Sequence, residues 1–144
     1  MKSDNFLSNS FVSRSKKETK FFSMQVAKAI KPPYILYLDG EVGVGKTCFV
    51  KSYARYYNMY DIISPSFSRM AIHRGEITLV HCDFYRGIPS ESFYYEEIEH
   101  HLTENWVLII EWGANFLSGL DYDKYRINIS YIENLNRLFE FRNF

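Results

Sequence analysis

A chain of 144 residues with 47% hydrophobic and 18% aromatic side chains can build a packed core and is too apolar to be disordered. Its 17 basic residues balance 17 acidic ones, which argues against a strongly basic surface gripping DNA or RNA unaided. The length fits one domain over residues 1–144; Cys48 and Cys82 form no C-x-x-C pair, and neither a secretory h-region nor a long apolar run is present, so a cytoplasmic protein without structural zinc or a membrane role is expected.

Residues 1–15 are rich in Ser and Asn, with Phe6, Leu7, Phe11 and Val12 scattered among them, and fit a frayed tail or an edge strand equally. From Lys16 the pattern turns helical, with Phe22, Val26, Ala29 and Ile30 on one stripe. Lys31-Pro32-Pro33 ends that helix, because a residue before proline is pushed out of the α region. Tyr34-Ile-Leu-Tyr-Leu38 then reads as a buried strand, and 46–57 as a helix.

Between strand and helix lies Gly40-Glu41-Val42-Gly43-Val44-Gly45-Lys46-Thr47, which fits the phosphate-binding pattern G-x-x-x-x-G-K-[ST]. Glycines allow the positive-φ backbone that turns successive N–H groups onto anionic oxygens. A lysine at position 46 supplies a point charge for the β- and γ-phosphates, and the Thr47 hydroxyl is placed to hold Mg2+. The helix N-terminus adds partial positive charge to the same spot, so the strand, loop and helix context gives the motif its meaning.

Residues 67–73 and 77–82 are strand-like around Arg74-Gly75-Glu76 and read as a hairpin, whose second arm ends in His81-Cys82-Asp83-Phe84-Tyr85-Arg86. A helix capped by Ser90 or Ser92 is expected to run to about Leu102 with an acidic, solvated face. Trp106-Val-Leu-Ile-Ile110 is the most apolar run and ends in Glu111-Trp112-Gly113, the pattern of a parallel strand buried on both faces. The last stretch alternates through 125–131, turns at 134–136 and returns through 138–142, a second hairpin expected at a sheet edge. The fold class predicted is α/β: a P-loop sandwich with a mostly parallel sheet, helices on both faces and antiparallel edge strands.

A P-loop does not complete a metal site; a carboxylate must reach the cation from a neighbouring strand end. Asp83 and Glu111 both end apolar strands, Glu111 the stronger one, and for either the alternative is a cap or a surface ion pair. His81 shares a strand face with Asp83 and reads as a hydrogen-bonded, partly buried imidazole. Trp112 fits stacking on a base or packing over the sheet end, and Cys48 fits the core. His100 and His101 read as caps or exposed residues.

Taken together, the segment Leu38-Asp39-Gly40 to Thr47, then Ser64-Pro65-Ser66-Phe67, then His81 to Arg86, then Ile110-Glu111-Trp112, resembles the ordered motif set of the TsaE (YjeE) family, over roughly two thirds of the chain. That resemblance implies a small bacterial ATPase required for tRNA threonylcarbamoyladenosine biosynthesis, acting with TsaB and TsaD and reaching tRNA through them. It implies ATP and Mg2+ as cofactors. It gives the phosphate cradle to Glu41, Val42, Gly43, Val44, Gly45 and Lys46, and the metal to Thr47 and Glu111. Lys46, Asp83 and Glu111 become the catalytic set, with Asp83 orienting water, while Cys48, Ser66, Trp112 and Arg137 take nucleotide-binding positions. The chain departs from the family where Ser66 and Cys48 replace common threonines and Gly113 a common proline. The rival readings are a small P-loop kinase, which needs an acceptor pocket and a basic lid, and a nucleotide-gated binding subunit whose hydrolysis is incidental.

Overall fold

The first helix, α1 (Lys16–Ala29), starts where Ser15 caps it: the Ser15 hydroxyl accepts from the Glu18 N–H at 3.1 Å, while Glu18 accepts from the Arg14 N–H at 3.0 Å. It buries Phe22, Val26 and Ala27 and leaves helical geometry at Ile30, just ahead of the two prolines. The computed structural model describes residues 10–65 and 68–143. Among these, seven strands form one sheet: β1 (Ser10–Ser13), β2 (Tyr34–Asp39), β3 (Met70–Arg74), β4 (Thr78–Asp83), β5 (Trp106–Glu111), β6 (Lys124–Tyr131) and β7 (Arg137–Asn143), in the order β1-β7-β6-β2-β5-β4-β3.

The centre, β6-β2-β5-β4, is parallel. Both edges are antiparallel, β3 on β4 at one side and β7 then β1 at the other. The C-terminal hairpin therefore does not form the edge expected of it. Its first arm, β6, carries buried Ile127 and Ile129 and joins the parallel centre beside β2, while β1 takes the outermost place. Phe11 anchors β1 there by stacking on Phe22 at 4.9 Å and meeting the Phe139 ring at 6.5 Å. Of the N-terminal stretch, residues 1–9, with Phe6 and Leu7, lie outside the described residues.

One sheet face packs Leu36, Leu38, Val107, Ile109, Ile127 and Ile129 against α1 and against α2 (Lys46–Tyr56), which contributes Phe49, Val50 and Tyr53. The other face packs Ile35, Tyr37, Val80, Leu108 and Ile110 under Tyr94, Ile98, Phe116 and Leu117. Helices on both faces are the sequence expectation, yet the two α-helices share the first face. The second is closed by a π-helical turn (Tyr94–Ile98), a 3-10 turn (Glu99–His101) and the segment after β5. Residues 92–101 are helical throughout, as the sequence expectation has it, but pass from α through π to 3-10 geometry, with Tyr94 and Ile98 buried against the sheet. With apolar cover on both sides, β5 is buried along its whole length.

Register decides where chemistry gathers. Glu111 pairs with Leu38 of β2 on one side and with Asp83 of β4 on the other. Three parallel strands thus end level, with the 40–45 loop leaving the middle of that end, the crevice where open α/β sheets bind ligands.

Candidate functional site

The loop between β2 and α2 depends on backbone that only glycine adopts freely: φ is +152° at Gly40, +83° at Gly43 and +120° at Gly45. A Cβ on Gly40 would also sit 2.7 Å from the Ile129 carbonyl oxygen, so the loop can rest on β6 only with glycine there. Gly45 precedes α2 without any side-chain cap, and no acidic residue occupies the first turn. The first N–H groups of that helix are therefore left to a ligand, and the helix dipole favours an anion.

Lys46 is 6% exposed. Its ammonium donates to the Gly40 carbonyl and, at 3.0 Å, to the Glu41 carbonyl, and lies 4.5 Å from the centre of the Trp112 ring. Burial lowers its pKa, opposed by the negative charges of Glu111, Asp83, Asp39 and Glu41. The lysine thus waits inside the site, held by the loop and capped by an aromatic face.

Glu111 and Asp83 end adjacent strands but stand in different surroundings. Glu111 is 4% exposed, and its Oε2 lies 2.5 Å from Nε2 of a fully buried His81. His81 therefore partners the carboxylate of the neighbouring strand, the hydrogen-bonded state its sequence position indicates. Burial pushes the Asp83 carboxyl upward; the Tyr85 N–H donating to Oδ1 at 3.0 Å pulls the other way, and the Glu111 charge adds to the rise. Beneath the mouth, Asp39 is paired with Arg126, which also donates to the Ala114 carbonyl at 2.5 Å and covers the Tyr37 ring at 4.6 Å. That knot ties the end of β2 to β6 and to the segment after β5.

These groups surround a cavity of about 700 Å3. Its loop wall is Val42, Gly43, Gly45, Lys46 and Thr47; its strand-end wall is Asp83, Glu111 and Trp112. Ser64, Pro65, Arg69, Tyr85 and Arg86 complete the rim. Trp112, at φ +57°, meets the Tyr85 ring edge-on at 5.2 Å while facing Lys46, so it belongs to the cavity. Four other residues given nucleotide positions contribute no lining. Glu41 offers its carbonyl to Lys46, the Val44 side chain is buried, Cys48 is half-buried on α2, and Arg137 bonds the Val44 carbonyl. Ser66 lies outside the described residues. Sequence reasoning passed over Tyr85 and Arg69: Tyr85 sits two residues past Asp83 in a motif already singled out, whereas Arg69 has no local signal. Gly113 is accounted for by packing, since a Cβ there would fall 2.4 Å from Ile110 Cγ2.

Residues 13–139 match the family described as Threonylcarbamoyl adenosine biosynthesis protein TsaE. The chain belongs to the TsaE family. The tRNA threonylcarbamoyladenosine biosynthesis protein TsaE of Rickettsia bellii is 32% identical over 135 residues, covering 92% of this chain and 93% of that protein. The protein of the same name from Treponema pallidum is 33% identical over 120 residues, covering 83% and 87%. The crystal structure of Bacillus subtilis YdiB superposes with a TM-score of 0.73 at 25% identity, covering 92% of this chain and 83% of that one. Membership of the family agrees with the motif order read from the sequence. Among the described residues, no helix is long and apolar enough to cross a membrane.

Proposed function

We propose that the chain is a single-domain, cytoplasmic, Mg2+-dependent ATP hydrolase of tRNA threonylcarbamoyladenosine biosynthesis, working with TsaB and TsaD and meeting tRNA through them. The observation that carries this reading is the convergence of the 40–47 loop, Asp83 and Glu111 on one cavity at the ends of parallel strands. Family membership and the names of the relatives support the pathway.

The residues present fit a nucleotide phosphate and Mg2+. Gly43 lines the cavity and has nothing within 4 Å of where a Cβ would stand, leaving the loop backbone open to phosphate oxygens. Thr47 and Glu111 would hold the cation: a hydroxyl and a carboxylate are hard oxygen donors, and they line the same cavity. His81 engages Oε2 of Glu111 and fixes the orientation of the carboxylate. Bound Mg2+ supplies neutralisation of phosphate charge. Lys46 adds a mobile positive charge on the loop side. Asp83, its carboxyl raised by burial, orients the attacking water and accepts its proton. Trp112 covers Lys46 on one side and limits its exposure to bulk solvent, which strengthens its field at the phosphates.

Equilibrium titration with ATP, with and without Mg2+, tests the reading. The wild-type chain is expected to bind and Lys46→Ala to lose binding. Equal affinity in both would overturn it.

A further inference from the structure

The 40–45 loop is held from behind as well as from the cavity side. Tyr131, the last residue of β6, donates its hydroxyl to the Gly43 carbonyl at 2.8 Å. Arg137, the first of β7, donates Nε–H to the Val44 carbonyl at 2.5 Å. The two are direct cross-strand partners, and the Arg137 guanidinium lies 5.4 Å from the centre of the Tyr131 ring. Two residues earlier on β6, the Ile129 carbonyl oxygen stands close enough to Gly40 that a Cβ there would fall 2.7 Å from it. Two hydrogen bonds and one close backbone approach from a single hairpin thus meet three points of one loop.

The consequence follows from peptide geometry. In a trans peptide the carbonyl and the N–H of the same unit point in opposite directions. Fixing the Val44 carbonyl toward Arg137 turns the Gly45 N–H the other way, and Gly45 is a lining residue of the cavity. Fixing the Gly43 carbonyl toward Tyr131 likewise sets the N–H of the same peptide unit, that of Val44, which is bonded at 3.2 Å to the Glu41 carbonyl and so holds the loop curled. Glycine at positions 43 and 45 would otherwise leave this backbone free to take other conformations.

We propose that Tyr131 and Arg137 are positioning residues that preset the phosphate-binding conformation of the 40–45 loop, acting through the Gly43 and Val44 carbonyls and not by touching the nucleotide. This rests on the nucleotide reading above. It assigns Arg137 a task different from the direct contact that the family resemblance implies, and it brings in Tyr131, to which no role had been attached.

The test compares ATP affinity of the wild-type chain, Tyr131→Phe, Arg137→Lys and the double variant, each with its ligand-free unfolding midpoint. Tyr131→Phe deletes one hydroxyl and keeps the ring under Arg137. Arg137→Lys keeps the positive charge and loses Nε–H. A preset loop predicts that each single change weakens ATP binding by about tenfold, the scale of one lost hydrogen bond. The double variant should fall short of the product of the two, because both act on one loop. Each variant should still unfold cooperatively. Unchanged affinity in Tyr131→Phe, or full retention in Arg137→Lys, overturns the proposal, the latter pointing to a direct charge contact. Failure of the wild-type chain itself to bind ATP removes the nucleotide reading and the proposal with it.

Discussion

Replacing Glu111 separates what its charge does for catalysis from what its hydrogen bond does for the fold. The carboxylate is 4% exposed and bonded to a His81 that is 1% exposed, whose Nδ1 already has no partner among the described residues. Glu111→Ala therefore strands a buried imidazole with neither nitrogen paired. Removing one member of a buried pair costs about 3 kcal/mol, which lowers the unfolding midpoint of a domain this size by roughly 10 °C. Glu111→Gln keeps an acceptor of nearly the same shape and exchanges a charge-assisted bond for a neutral one, a loss of about 1 kcal/mol or roughly 3 °C. Both variants lose the carboxylate assigned to Mg2+, so ATP hydrolysis should fall by roughly 100-fold or more in each, the scale of a metal's charge stabilisation. Nucleotide binding should survive in Glu111→Gln. Thermal unfolding, ATP titration and phosphate release on the same preparations check the three quantities. Equal midpoints for the Ala and Gln variants would refute the buried-pair argument. Loss of ATP binding in Glu111→Gln equal to that in Lys46→Ala would refute the division of roles.

Asp83→Asn should raise the ligand-free unfolding midpoint at pH 7. Burial raises the folded-state pKa of Asp83, so between the ordinary carboxylate value of about 4 and that raised value the folded chain holds a proton that the unfolded chain has lost, and stability falls as pH rises through that window. Midpoints measured against pH should show the benefit of Asn shrinking to nothing at the acid end; a benefit independent of pH would contradict the burial argument. Gly40→Ala should destabilise the chain by about 2 kcal/mol through the Ile129 carbonyl and the positive φ. Gly43→Ala, with open space around it, should cost about half as much, and thermal unfolding of the pair reads the difference. If modification by TsaB and TsaD proceeds fully with Glu111→Gln in place of the wild-type chain, nucleotide binding alone is the output.

Local patterns carried much of this molecule. The strand at 34–38, the helix after the loop, the hairpin expected over 67–73 and 77–82 and found at 70–74 and 78–83, and the wholly buried β5 are legible because each is written in a period or a run. Their convergence was legible only in part. Asp83 and Glu111 could be placed at strand ends, but that they are neighbours follows from parallel register between segments 28 residues apart, which no local pattern encodes. The same limit hid the His81–Glu111 bond, since the periodicity of β4 pairs His81 with Asp83 on one face and says nothing of the next strand. Alternation marks the C-terminal hairpin but not its place, since it looks alike in an edge arm and in a strand buried beside β2. The helix over 92–101 is legible from its cap and acidic face, whereas its π and 3-10 geometry has no signature in the residue pattern.

The central claim is that the cavity hydrolyses ATP for an assembly rather than for itself. Phosphate release from ATP by the purified chain, with and without Mg2+, TsaB and TsaD, and with Lys46→Ala as control, tests it most directly. Slow Mg2+-dependent turnover alone, faster turnover with the partners and none in Lys46→Ala is the predicted result. Turnover at about tens per second by the isolated chain, the pace of phosphoryl-transfer sites complete in themselves, or turnover that survives Lys46→Ala, would contradict the account.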